Sequence, residues 1–148
     1  LSDVEGTELL HIMESPGSTS LLAPAAALNQ IDPCRAAVKN VQTVKTVTID
    51  NWARQNNIAS IELMKFDIQG AELKAFRGAA ETLKKSTLIV YSEIWFNTVY
   101  QGGVLYSQID MFLREYGFVL FDIFKPRYNP GGLLMWANAL FVRQTLIK

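Results

Sequence analysis

Hydrophobic residues along this chain change their period near its middle. From Val41 to Ile49 apolar and polar residues alternate, with Val41, Thr43, Lys45, Val47 and Ile49 on one face, which predicts a strand. Leu9–Met13 predicts a shorter strand, and the two can pair as an antiparallel ribbon. Between them, Glu14 to Arg35 is rich in Ser, Ala and Pro, with breakers at Pro16-Gly17, Pro24 and Pro33. It reads as a loop with a short helical turn at Ala25–Leu28. Asp50 stands where an N-cap would, before a short helix over Asn51–Gln55.

From Ile61 the pattern is that of an α/β unit. Ile61–Phe66 predicts a strand, and Ala71–Lys84 a helix with Leu73, Phe76, Ala80 and Leu83 on one face, weakened at Gly78. Thr87–Ile94 is almost continuously apolar, as expected of a strand buried on both faces. Ser107-Gln108-Ile109-Asp110 resembles a capping box and opens a helix carrying Ile109, Phe112, Leu113 and Tyr116, which Gly117 ends. Phe118–Phe124 predicts a strand, Lys125–Gly132 a Pro/Gly loop, and Met135–Val142 a last strand antiparallel to the one before. The order β-α-β-α-β-β describes an open α/β sheet closed by a hairpin edge.

A chain of 148 residues suits one domain, with residues 1–50 forming the ribbon and loop and 51–148 the α/β part. A hydrophobic content of 49% argues against disorder. Lys+Arg and Asp+Glu balance at 14 each, so no basic field draws the chain to nucleic acid or an anionic membrane. No apolar run reaches the roughly 18–20 residues that span a bilayer, and no signal peptide is visible. A single cysteine, Cys34, fits a reducing compartment, so the expected location is cytoplasmic.

Candidate chemistry gathers where strands end. Asp67 follows one strand and Glu93 lies near the end of the next. If the strands are neighbours, about 4.8 Å apart, two carboxylates sit at the edge where open α/β sheets bind ligands. Such a pair can accept a proton, orient a hydroxyl or hold a cation; each can equally cap a turn or pair with a basic residue. Lys65 shares a strand face with Asp67 and can neutralise it. Glu72 falls in a first helical turn, where the helix dipole favours an acid. Trp95, Phe96, Tyr100 and Tyr106 can wall a pocket or edge the core. Lys125, Arg127 and Tyr128 lie on the late loop, as a lid, an anion contact or a solvated surface. His11 has no metal-ligand spacing and Cys34 no activating partner, so no metal site is expected.

The stretch Lys65-Phe66-Asp67-Ile68-Gln69-Gly70-Ala71-Glu72, followed by Phe76-Arg77-Gly78-Ala79, resembles the K-x-D-x-E-G-x-E…G-A signature of the FkbM-type methyltransferases. Leu1–Gly6, Gly17–Leu21 and Val44–Asp50 resemble flanking segments of that family, in the same order, and Glu93 matches an acid at the end of its fifth strand. The resemblance implies the C-terminal part of a class I, Rossmann-like methyltransferase sheet, strands four to seven with an antiparallel final hairpin, plus an inserted β-ribbon. It implies S-adenosylmethionine as cofactor and O-methylation of a small-molecule or sugar hydroxyl. Asp67 and Glu93 would be catalytic; Ser2, Asp3 and Asp67 would contact the cofactor; Trp95 and Gln69 would meet the substrate. Gln69 departs from the family's Glu, which removes a charge but keeps hydrogen bonding. The glycine-rich first strand-turn and the acidic end of the second strand are absent, and Leu1 rather than Met opens the sequence. The chain is therefore expected to be a partial domain that binds S-adenosylmethionine weakly or not at all alone. The competing expectation is a non-catalytic fragment that dimerises or binds a partner through an exposed sheet edge. A metal-dependent activity on the same acids is a third reading, without a supporting histidine.

Overall fold

A computed structural model describes residues 1–147. The alternating stretches become a two-stranded antiparallel ribbon, β1 (Gly6–Met13) with β2 (Val38–Thr46), in which Leu9 faces Thr43 and His11 faces Val41. The inward side of β2 is not the one the alternation suggests. Val41, Thr43 and Lys45 are exposed, while Val44 is half-buried and Thr46 buried. Val and Thr occupy both faces of this strand, so its pattern cannot choose between them.

The stretch between the strands is more ordered than its prolines suggest. It holds α1 (Ala26–Ile31) and α2 (Pro33–Ala36). Pro33 sits in the first turn of α2, where no backbone donor is needed, and Asp32 caps that helix by accepting from Arg35 N at 3.1 Å.

Asp50 does not cap the helix beside it. In α3 (Ile49–Gln55) that role falls to Thr48, whose hydroxyl accepts from Asn51 N at 3.1 Å. The Asp50 carboxylate reaches across the fold and accepts from Glu81 N (2.8 Å), Thr82 N (2.9 Å) and Thr82 Oγ1 (2.6 Å). It thereby caps α5 (Ala80–Lys85), whose own N-cap residue, Ala79, has no side chain to do so. The single helix expected over Ala71–Lys84 is two, α4 (Glu72–Arg77) and α5, broken at Gly78-Ala79. The Ser2 carbonyl presses on the break: a Cβ on Gly78 would lie 2.2 Å from that oxygen.

The α/β part forms a mixed four-stranded sheet of β3 (Leu63–Phe66), β4 (Ile89–Trp95), β5 (Phe118–Tyr128) and β6 (Leu134–Arg143). Their spatial order is β3-β4-β6-β5, with β3 and β4 parallel and β6 antiparallel to both its neighbours. The final antiparallel pair matches the expectation. However, β5 runs on through Lys125, Arg127 and Tyr128, with irregular register beyond Phe124. These three residues lie exposed on an edge strand, not on a loop, and Pro126 is tolerated because an edge strand can lack a donor. Helix α6 (Tyr106–Glu115) starts two residues earlier than expected, with Leu105 in place of Ser107 as its N-cap: Gln108 Oε1 accepts from Leu105 N at 2.9 Å, while Asp110 binds Arg114 Nε at 2.7 Å.

Helices cover one sheet face. Phe76, Leu83, Ile109 and Leu113 pack on Met64, Phe66, Val90, Ile94 and Phe141, with Ala137 and Ala139 keeping the layers close. The other face is covered chiefly at its carboxyl end, where Leu28, Trp95, Val99, Tyr100 and Met135 form a second apolar cluster. Burial of β4 on both faces is therefore confined to Ser92–Trp95; Ile89 and Tyr91 are half-buried. The guanidinium of Arg143 ties the helix layer to the sheet by donating to the carbonyls of Thr87 (2.8 Å), Tyr116 (3.2 Å) and Leu83. At the outer edge, β3 presents Leu63, 58% exposed, beside an apolar groove of about 390 Å³ shared with Leu1, Val47, Trp52 and Ile61. No helix among the described residues is long and apolar enough to cross a membrane.

Removing the remote cap with Asp50→Ala should cost about 0.5–2 kcal/mol in urea unfolding. Gly78→Ala should cost about 1–3 kcal/mol, because the Ser2 backbone has to move.

Candidate active site

Parallel pairing of β3 and β4 sets Phe66 against Ser92, so the next residues, Asp67 and Glu93, emerge side by side. Asp67 is exposed and Glu93 is 7% exposed. One amide joins them: Gln69 Nε2 donates to Asp67 Oδ1 and to Glu93 Oε2, each at 3.0 Å. Its Oε1 accepts from the Tyr100 hydroxyl at 2.8 Å. This hydroxyl fixes the amide, because only the NH₂ end can serve two acceptors.

The turn that delivers Gln69 is held on both sides. Gln69 and Gly70 both take positive φ, 56° and 94°. The first is uncommon for a residue with a Cβ, and Ser20 Oγ secures it by donating to the Gln69 carbonyl at 2.8 Å. At Gly70 a Cβ would sit 3.3 Å from both Leu22 and Tyr100. Beneath the turn, Glu72 is fully buried; its Oε1 accepts from Ile68 N (3.1 Å) and Gly70 N (3.3 Å). Its Oε2 has no partner among the described residues.

Three carboxyl groups thus crowd one strand edge. Burial, opposed in part by backbone hydrogen bonds, raises Glu72 to about 7. Burial first, then the charges of Glu72 and Asp67, raise Glu93 to about 8. A protonated Glu93 beside Asp67 relieves the repulsion, leaving Asp67 as the acid that faces open space. It lies on the wall of a cavity of about 310 Å³ lined also by Leu10, Thr19, Ser20, Leu21 and Ile68. Lys65 approaches Asp67 only to 3.5 Å, with both side chains about half exposed.

Asp67 and Glu93 lie side by side as the strand ends suggested, and Gln69 joins them through an amide bridge that the sequence did not suggest. Trp95 is 1% exposed and packs on Tyr100 and Trp136, with ring centroids 5.6 and 5.3 Å away, so it props Tyr100 instead of offering a surface. Ser2 is fully buried, and its hydroxyl proton is shared between the Glu8 and Asp3 carboxylates. Asp3 lines a separate cleft with Lys74 and Arg77. The sequence reading missed Glu72 as a member of the cluster, and Ser20 as its brace. For Glu72 the signal was its place in the signature; for Ser20, no local pattern points across 49 residues to Gln69. Among the described residues, no group of three or more His, Cys, Asp or Glu is arranged to hold a metal ion.

The chain is an α/β domain with paired acids at the carboxyl ends of two parallel strands, and comparison narrows its class. The model of the methyltransferase FkbM domain matches residues 13–120, and the chain belongs to that family. Over 60 residues it is 37% identical to the 2-O-methyltransferase NoeI of Sinorhizobium fredii. That match covers 40% of this chain and 24% of NoeI, so the chain spans about a quarter of the curated relative it matches. No solved structure matches the chain.

The raised carboxyl groups make stability depend on pH in a definite direction. Both groups titrate near 4.5 when unfolded and near 7 and 8 when folded. Between those values the native state holds more protons, so the stability they contribute is full below about pH 4.5 and is lost as pH rises through about 8. Urea unfolding of the native chain should show falling stability from pH 6 to 9. Glu93→Gln, which cannot ionise, should remove on the order of 1 kcal/mol or more of that fall; parallel curves for the two proteins would count against buried protonated Glu93.

Proposed function

We propose that this chain is the acceptor-side part of an S-adenosylmethionine-dependent O-methyltransferase. On this reading β3, β4, β5 and β6 correspond to strands four to seven of a class I sheet, with the ribbon inserted before them. Membership of the FkbM family supports methyl transfer, and the name of NoeI as a 2-O-methyltransferase supports an oxygen acceptor. The observation that carries the reading is the bridge by which Gln69 holds Asp67 and Glu93 at the carboxyl edge of two parallel strands.

When bound, S-adenosylmethionine supplies an electrophilic methyl group on a cationic sulfonium. The residues present fit its reactive end better than its nucleoside. Asp67, an acid on a cavity wall, suits a cation beside a hydroxyl, whereas Ser2 is buried with its hydroxyl proton turned to Glu8 and Asp3. With the cofactor bound, Asp67 would take the proton of the acceptor hydroxyl as that oxygen accepted the methyl group and the neutral thioether left. Gln69 keeps Asp67 aimed, and positioning of this kind supplies much of the rate. The acceptor is a small-molecule or sugar hydroxyl, and Gln69 is its polar contact once the amide exchanges one carboxylate for it.

In the full-length enzyme, Asp67→Asn should lower the turnover of methyl transfer by about 10²–10⁴, with the apparent affinity for S-adenosylmethionine changed far less. Unchanged turnover would remove Asp67 from the chemistry. The exposed β3 edge favours a second reading, pairing with another chain. Light scattering on the 148-residue chain tests this, since a stable monomer speaks against it. The same chain should show weak or no uptake of S-adenosylmethionine by calorimetry at micromolar concentration.

A further inference from the structure

The active-site hydrogen bonds do not stop at Tyr100. Its hydroxyl also lies 3.2 Å from the carbonyl of Ser18, and the Ser18 hydroxyl accepts from Arg35 Nε at 2.9 Å. Ser18 is fully buried. A continuous series of contacts therefore runs from the guanidinium of Arg35, through Ser18, Tyr100 and Gln69, to Asp67 and Glu93. Arg35 also places its guanidinium carbon over the Trp136 ring, 5.4 Å from its centroid. Its backbone is fixed by the Asp32 cap of α2.

The sheet register shows which way this arginine looks. Trp136 pairs with Trp95, and Asn138 pairs with Glu93. Residues two apart on a strand share a face, so Glu93, Trp95, Trp136 and Asn138 share one. Arg35 thus stands over the face that carries Glu93, displaced by two strand residues, on the order of 7 Å. Its positive charge is felt at both Glu93 and Tyr100. Yet among the described residues no carboxylate lies within ion-pair distance of it, and its two terminal nitrogens make no hydrogen bond. A guanidinium with Nε anchored, its carbon seated over an aromatic ring and both Nη groups unspent is prepared to grip two oxygens at once.

We propose that Arg35 is an anion-binding subsite for the methyl acceptor, taking a carboxylate or phosphate group carried about one ring's breadth from the hydroxyl that is methylated. This rests on the reading of Asp67 as the acid that meets that hydroxyl. The charges felt at Glu93, on the same sheet face as the subsite, are those of Glu72 from α4, Asp67 and Lys65 from β3, and Arg35 itself. A protonated Glu93 lessens the repulsion an anion would meet there. The short α2, an unremarkable Pro-Cys-Arg-Ala in sequence, becomes the element that selects for charge.

The test is binding, with no methyl transfer in the readout, so it fails or succeeds separately from the catalytic proposal. The Arg35 Nε–Hε and Trp136 indole signals of the 148-residue chain are followed by NMR during titration with benzoate, phenyl phosphate and, as the neutral control, benzamide. Benzoate or phenyl phosphate should shift both signals saturably, and the tighter of the two identifies the anion. Benzamide should not shift them. Arg35→Gln should weaken anion binding at least tenfold, as read at Trp136. Arg35→Lys, which keeps the charge without the fork, should fall between. Equal response to benzamide, no response to either anion, or undiminished affinity in Arg35→Gln would each overturn the proposal. The wild-type comparison of charged and neutral probes decides the matter even if a variant does not fold.

Discussion

Two acids on adjacent parallel strands must end close together, and like charges at that spacing repel. Here one side-chain amide sits between them: Gln69 donates to both Asp67 and Glu93. Much of the surrounding structure follows from that bridge. The amide has to be aimed, which Tyr100 does. The turn carrying it has to be held in a left-handed conformation, which Ser20 does. A glutamate at this position, as in the signature the chain resembles, could donate at most one hydrogen bond, and only when protonated, and would put a further carboxyl into the cluster.

The bridge also explains why the second apolar cluster exists. Tyr100 can aim an amide only if its ring is fixed, and Trp95, Leu28 and Val99 fix it. Those contacts bury Trp95, so an aromatic beside the site becomes a support. Water excluded by this packing is the main reason the Glu93 proton is held so firmly. Packing and electrostatics are here one effect: the cluster that stiffens the site also sets its protonation.

Helix capping shows the same reach across the fold. Asp50 and Ser2 each act on the α4–α5 break from distant positions, Asp50 by capping α5 and Ser2 by crowding Gly78. Arg143 does the reverse service, satisfying carbonyls at the ends of α5 and near the end of α6. Groups left open at helix ends must find partners somewhere, and in this chain the partners come from other elements.

Local pattern was enough for the ribbon pairing, the alternation of helix and strand after Ile61, the antiparallel final pair, and Asp67 beside Glu93. Each depends on periodicity or on a strand end, properties read within a dozen residues. The sequence also carried the lineage, through Lys65 to Glu72. Other features were decided only in three dimensions: the inward face of β2, the broken helix, the extension of β5 through Pro126, and the joining of Ser18, Arg35 and Tyr100 to the site. All of these depend on partners far away in sequence, such as Ser20 with Gln69 and Asp50 with Thr82. A hydrogen bond or a steric limit of that kind leaves no periodic trace along the chain, so only the folded arrangement can reveal it.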